Sequence, residues 1–272
     1  MTLVPAIFLT LTSVAVMLVA IVVLVSFSLA AQANRPVGDG QLLRLPVGLM
    51  LREFAVLLFT LLLRPMGWLP PRITPGDAAK PPVLLLHGLF QNRSCLLFLQ
   101  RRLQRAGYRT LSINTPPWHD LATLTARVTV AVEQLRGKTG ADRVHLVGHS
   151  MGGILARSYL QSYGPAKVAG CVTLGSPHTG SQLAVFAVSK LGRALLPGSA
   201  LLEQLHAAPL PTGTKLTSIY SIDDNIILPA ANARLEGANN LEVSGTGHTA
   251  MLFSGEVAVV VLGVLNKPQG VH

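Results

Sequence analysis

The sequence predicts an α/β fold: a mainly parallel sheet with helices on both faces, preceded by one or two transmembrane or membrane-associated helices. Three observations carry this. From Pro82 onward, short apolar runs alternate with longer amphipathic ones, the pattern of successive βα units. One of the apolar runs leads through Gly148-His149-Ser150-Met151-Gly152 directly into a helical run. Finally, residues 5–31 contain no charged side chain.

The strand-like runs are residues 83–86, 110–114, 144–147, 168–174, 216–222 and 241–243. All are short, and 83–86 is apolar throughout, as expected of a parallel strand buried on both faces. The clearest helical runs are 96–105, 121–136, 152–161 and 257–265. In such a sheet, chemistry gathers at the carboxyl ends of the strands.

At the N-terminus, residues 5–31 are long enough to cross a bilayer, which takes roughly 20 apolar residues. A secretory signal has a shorter apolar core, about 7–15 residues, behind a basic segment. Residues 1–4 supply no Lys or Arg, although Ala31-Gln32-Ala33 fits a small-x-small cleavage site. An uncleaved anchor is the expectation. A second apolar stretch, 45–63, is interrupted by Arg52 and Glu53. It can span, lie flat on the membrane, or dock against the catalytic domain after it. Pro70-Pro71-Arg72-Ile73-Thr74-Pro75-Gly76 and Lys80-Pro81-Pro82 read as a stiff linker. With one span, Arg35, Arg44 and Arg52 place the remainder of the chain on the cytoplasmic side; with two, Arg35 and Arg44 mark a cytoplasmic loop and the catalytic domain faces outward.

The division expected is therefore 1–33 as a transmembrane helix, 34–80 as apolar segment and linker, and 81–272 as a catalytic domain. On this division a chain starting near Pro81 is soluble and active. Cys95 and Cys171 make no disulfide framework, and neither C-x-x-C nor H-E-x-x-H occurs, so a metal-free site is expected. The net charge is +10, and Arg93, Arg101, Arg102, Arg105 and Arg109 cluster on one short stretch. Such a cluster is either a solvated helix face or an attraction to anionic membrane lipids. Nucleic-acid binding is not expected, because aromatic content is 5% and no aromatic interleaving accompanies the basic residues.

The Gly148–Gly152 motif carries the chemistry. A serine on a sharp strand-to-helix turn has its hydroxyl held above the end of the sheet, and glycines flank it because side chains there meet neighbouring backbone. The next helix aims its N-terminal N–H groups at the same place. A serine hydroxyl needs a base, and the base needs an orienting group. Two histidines lie well downstream and away from the tail: His206, after the amphipathic stretch 201–205, and His248, in a Gly-Thr-Gly-His loop after a strand. The strand before that loop ends in Asp223-Asp224-Asn225. Adjacent side chains diverge, so one carboxylate reaches the imidazole and the other serves the turn; spacing does not choose between them. For an oxyanion hole, Met151 supplies one backbone N–H. The turn His87-Gly88-Leu89-Phe90 supplies the other through Leu89. His87 itself reads as a packed, hydrogen-bonded neighbour.

Five motifs in order resemble the α/β-hydrolase superfamily, and within it the small bacterial triacylglycerol lipases and esterases of minimal type. They are His87-Gly88-Leu89, Gly148-His149-Ser150-Met151-Gly152-Gly153, 172–180, 219–227 and Gly245-Thr246-Gly247-His248; the likeness covers about 81–265. The resemblance implies the chain order serine, acid, histidine. It makes Ser150 the nucleophile and His248 the base. It favours Asp224 as the acid, since Asp224-Asn225-Ile226-Ile227 has the spacing to aliphatics seen in those lipases. It further implies hydrolysis of carboxylic, lipid-like acyl esters through an acyl-enzyme, without cofactor or metal. An acyltransferase or thioesterase would use the same three residues; a non-catalytic protein would have no use for the intact set. The chain departs from the minimal lipases in its apolar N-terminus and in the long segment 176–215. Amphipathic runs at 183–196 and 201–205 there are candidates for a partial cap.

Overall fold

The computed structural model describes residues 3–34 and 45–267. Arg35 and Arg44, on which the topology argument leans, lie outside the described residues. The described elements begin with two helices, α1 (Leu3–Ala33) and α2 (Val47–Leu63), and a 3-10 turn, Arg64–Trp68. Next come β1 (Val83–Leu86), α3 (Leu97–Arg105), β2 (Thr110–Ile113), α4 (Leu121–Thr139), β3 (Val144–His149), α5 (Met151–Tyr163) and β4 (Val168–Leu174). Short helices α6 (Lys190–Arg193) and α7 (Ala200–Ala207) precede β5 (Leu216–Ser221), β6 (Asn239–Val243) and α8 (Gly255–Leu265).

The strands form one six-stranded sheet, order β2-β1-β3-β4-β5-β6, and every pairing is parallel. Alternation along each strand divides the core into two layers. Leu84 and Leu86 face one layer with Leu124, Val128, Leu155 and Tyr159 of α4 and α5. Val83 and Leu85 face the other with Leu99 and Leu103 of α3 and Val257 and Val261 of α8. The register decides where the site forms. Leu86 lies beside Gly148, His149 beside Leu174, Leu174 beside Ile219, and Ser221 beside Val243. The loops after β1, β3, β5 and β6 therefore leave the sheet at the same edge.

Local sequence sets the helix ends. Asp120 accepts the Thr123 N–H at the start of α4, and Gly140 closes it in a left-handed turn at φ 69°. Ser254 accepts the Val257 N–H at the start of α8. The segment between β4 and β5 is not free-standing. Leu191, Leu195, Leu202 and Leu205 are buried in the same layer as α5, and the Arg157 guanidinium, itself buried, donates to the Leu205 carbonyl at 2.6 Å.

The N-terminal region is attached far more closely than a linker would be. The Asn92 and Asn114 amides donate to the carbonyls of Arg64 (2.8 Å) and Gly67 (2.9 Å), and Arg93 donates to Leu69 (2.6 Å). The Thr74 N–H donates to the Thr110 carbonyl at 3.0 Å, so the Pro-rich stretch runs along the sheet edge. Of the three placements open to the second apolar stretch, α2 takes the docked one. Phe59 meets Phe253 edge-on at 5.9 Å, and Glu53 is fully buried against the loop after β6. Among the described residues, one helix, over Leu9–Ala33, is long and apolar enough to cross a membrane. Near the N-terminus, such a helix fits an anchor or a signal sequence.

Candidate active site

The turn from β3 into α5 is as sharp as the motif demands. Ser150 sits at φ 55°, ψ −122°, a strained conformation for a residue with a side chain, and its N–H is tied to the Leu174 carbonyl at 2.8 Å. Glycine is required here by close approach: a Cβ on Gly152 would run into the Leu86 carbonyl, so α5 lies directly on the end of β1. That contact also brings the next loop in. A Cβ on Gly88 would stand 3.0 Å from the Ser150 Cβ, so the turn that carries Gly88 and Leu89 comes up against the serine.

The two oxyanion-hole candidates are Leu89 and Met151. The Leu89 N–H donates to no other backbone group among the described residues. Met151 is the first residue of α5, where the N–H has no acceptor inside the helix.

Across the site, Asp224 Oδ2 lies 2.8 Å from His248 Nδ1. Asp224 Oδ1 accepts the N–H groups of Ile226 (2.8 Å) and Ile227 (2.9 Å). The carboxylate is thereby locked by its own loop and aimed by one oxygen. Asp223 turns the other way, its Oδ2 accepting the Gly245 N–H at 2.7 Å. Both aspartates thus serve the loop after β6, one through the imidazole and one through the backbone. Ser150, Asp224 and His248 are 8%, 1% and 6% exposed. Gly175 lies between them: a Cβ there would be 3.0 Å from Asp224 Oδ2 and 3.3 Å from His248 Nδ1, and the preceding residue, Leu174, holds the Ser150 N–H. The Ser150 hydroxyl makes no hydrogen bond among the described residues. Such a bond commonly tightens only with substrate in place.

Electrostatics single out His248 among the clustered histidines. Burial holds His87 down to about 4, His178 to about 3 and His149 well below the ordinary value. Burial also presses His248 downward, but the charge and hydrogen bond of Asp224, with the charge of Glu53, outweigh it and leave the imidazole raised above 6.5. His87 is packed as expected: Nε2 accepts the Thr115 N–H at 2.9 Å, and Nδ1 lies 2.8 Å from the Gly88 carbonyl. His206 lies on α7, its Nδ1 3.1 Å from the Leu202 carbonyl, and its electrostatic neighbour is His178. No grouping of three or more His, Cys, Asp or Glu suited to a metal occurs among the described residues.

Comparison with known proteins gives the same architecture. Residues 81–195 match the α/β hydrolase fold family. The triacylglycerol lipase of Pseudarthrobacter phenanthrenivorans is 34% identical over 118 residues, 40% of this chain and 37% of that one. That of Burkholderia plantarii is 34% identical over 118 residues, 40% of this chain and 33% of the relative. The match thus spans little more than a third of these relatives' length. The crystal structure of mature Bacillus licheniformis lipase BlEst2 superposes with a TM-score of 0.63 at 23% identity, covering 73% of this chain and 98% of that one. The chain has the α/β-hydrolase fold.

Within the hydrolase fold, three groups around His248 were not singled out from the sequence. The Asn225 side chain accepts the His248 N–H at 3.0 Å through Oδ1 and donates to Ser26 Oγ on α1 at 2.8 Å through Nδ2. His149 reaches the His248 carbonyl at 3.0 Å through Nε2, with ring centroids 4.6 Å apart. Glu53 accepts the next two N–H groups, of Thr249 at 2.7 Å and Ala250 at 2.9 Å. Only Glu53 left a legible signal: a lone acid in an apolar helix must find donors somewhere.

Proposed function

We propose that the chain is a membrane-anchored serine hydrolase that cleaves carboxylic esters with lipid-like acyl groups. The observation that carries this is the buried Asp224–His248 pair, 2.8 Å apart, at the same sheet edge as a strained serine on a strand-to-helix turn. His248 Nε2 takes the proton from the Ser150 hydroxyl as its oxygen attacks the ester carbonyl. Asp224 holds Nδ1 and stabilises the imidazolium. The N–H groups of Leu89 and Met151 bind the oxyanion. The C–O bond to the alcohol breaks, and His248 returns the proton to that alcohol. Water then attacks the acyl-enzyme by the same route, releasing the acid and free Ser150.

Several features support an apolar acyl substrate. Phe90, next to the oxyanion donor Leu89, meets Trp118 edge-on at 6.0 Å, and Trp118 is largely exposed. The Leu89 side chain adjoins α6, where Val185, Phe186 and Val188 just upstream are also exposed. The lipases similar in sequence act on acyl esters by name. The arginine cluster offers less support. Arg93 and Arg109 are spent on backbone carbonyls of Leu69 and Thr139, leaving Arg101, Arg102 and Arg105 for anionic lipids.

The anchor reading draws on α1. Val23, Ser26, Phe27 and Ala30, one face of its last turns, are buried against the domain, whereas side chains from Leu9 to Val22 are almost all exposed. The projecting 3–22 would reach about 30 Å as a helix, the thickness of a hydrocarbon core. A signal cleaved after Ala33 would strip away the buried face as well. With α2 docked, one span remains among the described residues, and with one span the positive-inside rule puts the hydrolase on the cytoplasmic side. The resulting division is an anchor in the first part of α1 and a hydrolase unit that includes α2.

The test is product analysis of the detergent-purified chain on p-nitrophenyl esters of short and long acyl chains, with and without added alcohol. Free acid as the main product supports hydrolysis; transfer to the alcohol at the expense of acid would make the chain an acyltransferase.

A further inference from the structure

The loop that carries His248 is held by side chains from three other parts of the chain. Its residue 248 is fixed at the N–H by Asn225, at the carbonyl by His149, and one residue on by Glu53. Two of these three holds lead to the N-terminal helices: Glu53 belongs to α2, and Asn225 is itself bonded to Ser26 of α1.

Glu53 is an expensive residue to keep where it is. A fully buried carboxylate is tolerated only when donors surround it. Its donors here are the two N–H groups that open the 3-10 turn Ala250–Phe253. The residue capping that turn, Thr249, makes no side-chain bond to the turn's own backbone, so Glu53 fills that role from another helix. The fit is close. A Cβ on Gly247 would stand 2.6 Å from Glu53 Oε2 and 3.0 Å from Asn225 Oδ1, so the backbone just before His248 passes between these two side chains with no room to spare. Arg52, beside Glu53, adds a further bond from α2 to the Gly245 carbonyl at 3.2 Å.

We propose that Glu53 is a positioning residue of the active site: with the Ser26–Asn225 pair it fixes the His248 loop, so that the two N-terminal helices are part of the catalytic apparatus as well as its tether. This rests on the reading of Ser150, His248 and Asp224 as a triad. Neither Glu53 nor Ser26 touches the reacting atoms; both act through the placement of the imidazole.

The experiment uses the full chain in detergent, with p-nitrophenyl butyrate as substrate and a fluorophosphonate to titrate competent sites. Glu53→Leu removes both acceptors at similar volume. Its kcat per folded molecule should fall on the order of ten- to hundredfold with KM within about twofold, because a misplaced base damages the chemical step and leaves binding alone. Glu53→Gln keeps one acceptor and should fall between Leu and the wild type. Ser26→Ala, which only frees the far side of Asn225, should lower kcat by a smaller factor without changing KM. A purely structural Glu53 predicts a lowered melting temperature and wild-type kcat in the folded fraction, and that result overturns the proposal. If Glu53→Leu does not fold, Glu53→Gln and Ser26→Ala decide: wild-type kcat in both overturns it. A wild-type chain that neither hydrolyses the ester nor reacts with the fluorophosphonate defeats the triad reading instead, which separates the two failures.

Discussion

Asp224 and His248 meet across the ends of two neighbouring parallel strands, Oδ2 to Nδ1 at 2.8 Å, while Asp223, one residue away, points at the Gly245 backbone. Two adjacent carboxylates thus divide the work on one loop: the first orients its imidazole and the second closes its backbone. Asp224→Asn should lower kcat by roughly 10⁴-fold, since an amide stabilises neither the correct tautomer nor the imidazolium. Asp223→Asn retains an oxygen acceptor for Gly245 and should lose far less. Steady-state kinetics on the two variants checks this, and the reverse ranking would move the acid to Asp223.

The pH profile is set by the same pair. A base works only when unprotonated, and His248 is raised above 6.5 by Asp224 and Glu53 against the effect of burial. The acid limb of kcat/KM should therefore have its inflection above pH 6.5. Residual activity in Asp224→Asn should show it at lower pH, because burial then acts with less opposition. His87 at about 4 and His178 at about 3 titrate too low to produce that limb. The linked stability has the opposite trend. A pKa raised on folding adds stability that is fully present below the unfolded value and is lost as pH rises through the folded one.

Gly152→Ala tests the seat of the nucleophile. The added methyl meets the Leu86 carbonyl, and α5 or the oxyanion loop must shift to admit it. Thermal unfolding should show a loss of about 1–3 kcal/mol, the usual range for overpacking, with a larger proportional loss of kcat than of stability. Unchanged activity would mean that the Leu89 and Met151 N–H groups need no fixed distance from each other.

Truncation should separate tether from scaffold. Removing residues 1–22 deletes the projecting part of α1 and leaves the buried face from Val23 to Ala30. That protein should leave the membrane fraction and keep its activity. A chain starting at Pro81 lacks Ser26 and Glu53 and should lose most activity even where it is soluble. Carbonate extraction and ester assays on both chains check this; full activity from Pro81 onward would restore the linker reading of 34–80.

Much of this was legible because it is local. The runs at 83–86 and 168–174 became strands with those bounds, since short, mainly apolar runs between breakers have little alternative inside a parallel sheet. The reading of Ser150 rests on glycines at fixed offsets around it, and that of His248 on a glycine loop after a strand. Spacing alone left Asp223 and Asp224 open and the family resemblance favoured Asp224; the direction of each side chain at the end of β5 shows only in the fold, because it is set by what β6 presents. The role of α2 was hidden for a different reason. Leu, Val and Phe meet lipid and protein equally well, so composition gave no preference, and only Glu53 distinguished them. Its donors lie 196 and 197 residues away in the chain, beyond any local pattern.

The central claim is that Ser150 is an activated nucleophile. The most direct measurement is labelling of the full-length chain with a fluorophosphonate and mass-spectrometric mapping of the modified peptide, beside Ser150→Ala and His248→Ala. One adduct is expected, on Ser150, formed with the wild type, absent in Ser150→Ala and slowed by orders of magnitude in His248→Ala. A folded wild type that forms no adduct, or one that is modified elsewhere at equal rate in all three proteins, would contradict it.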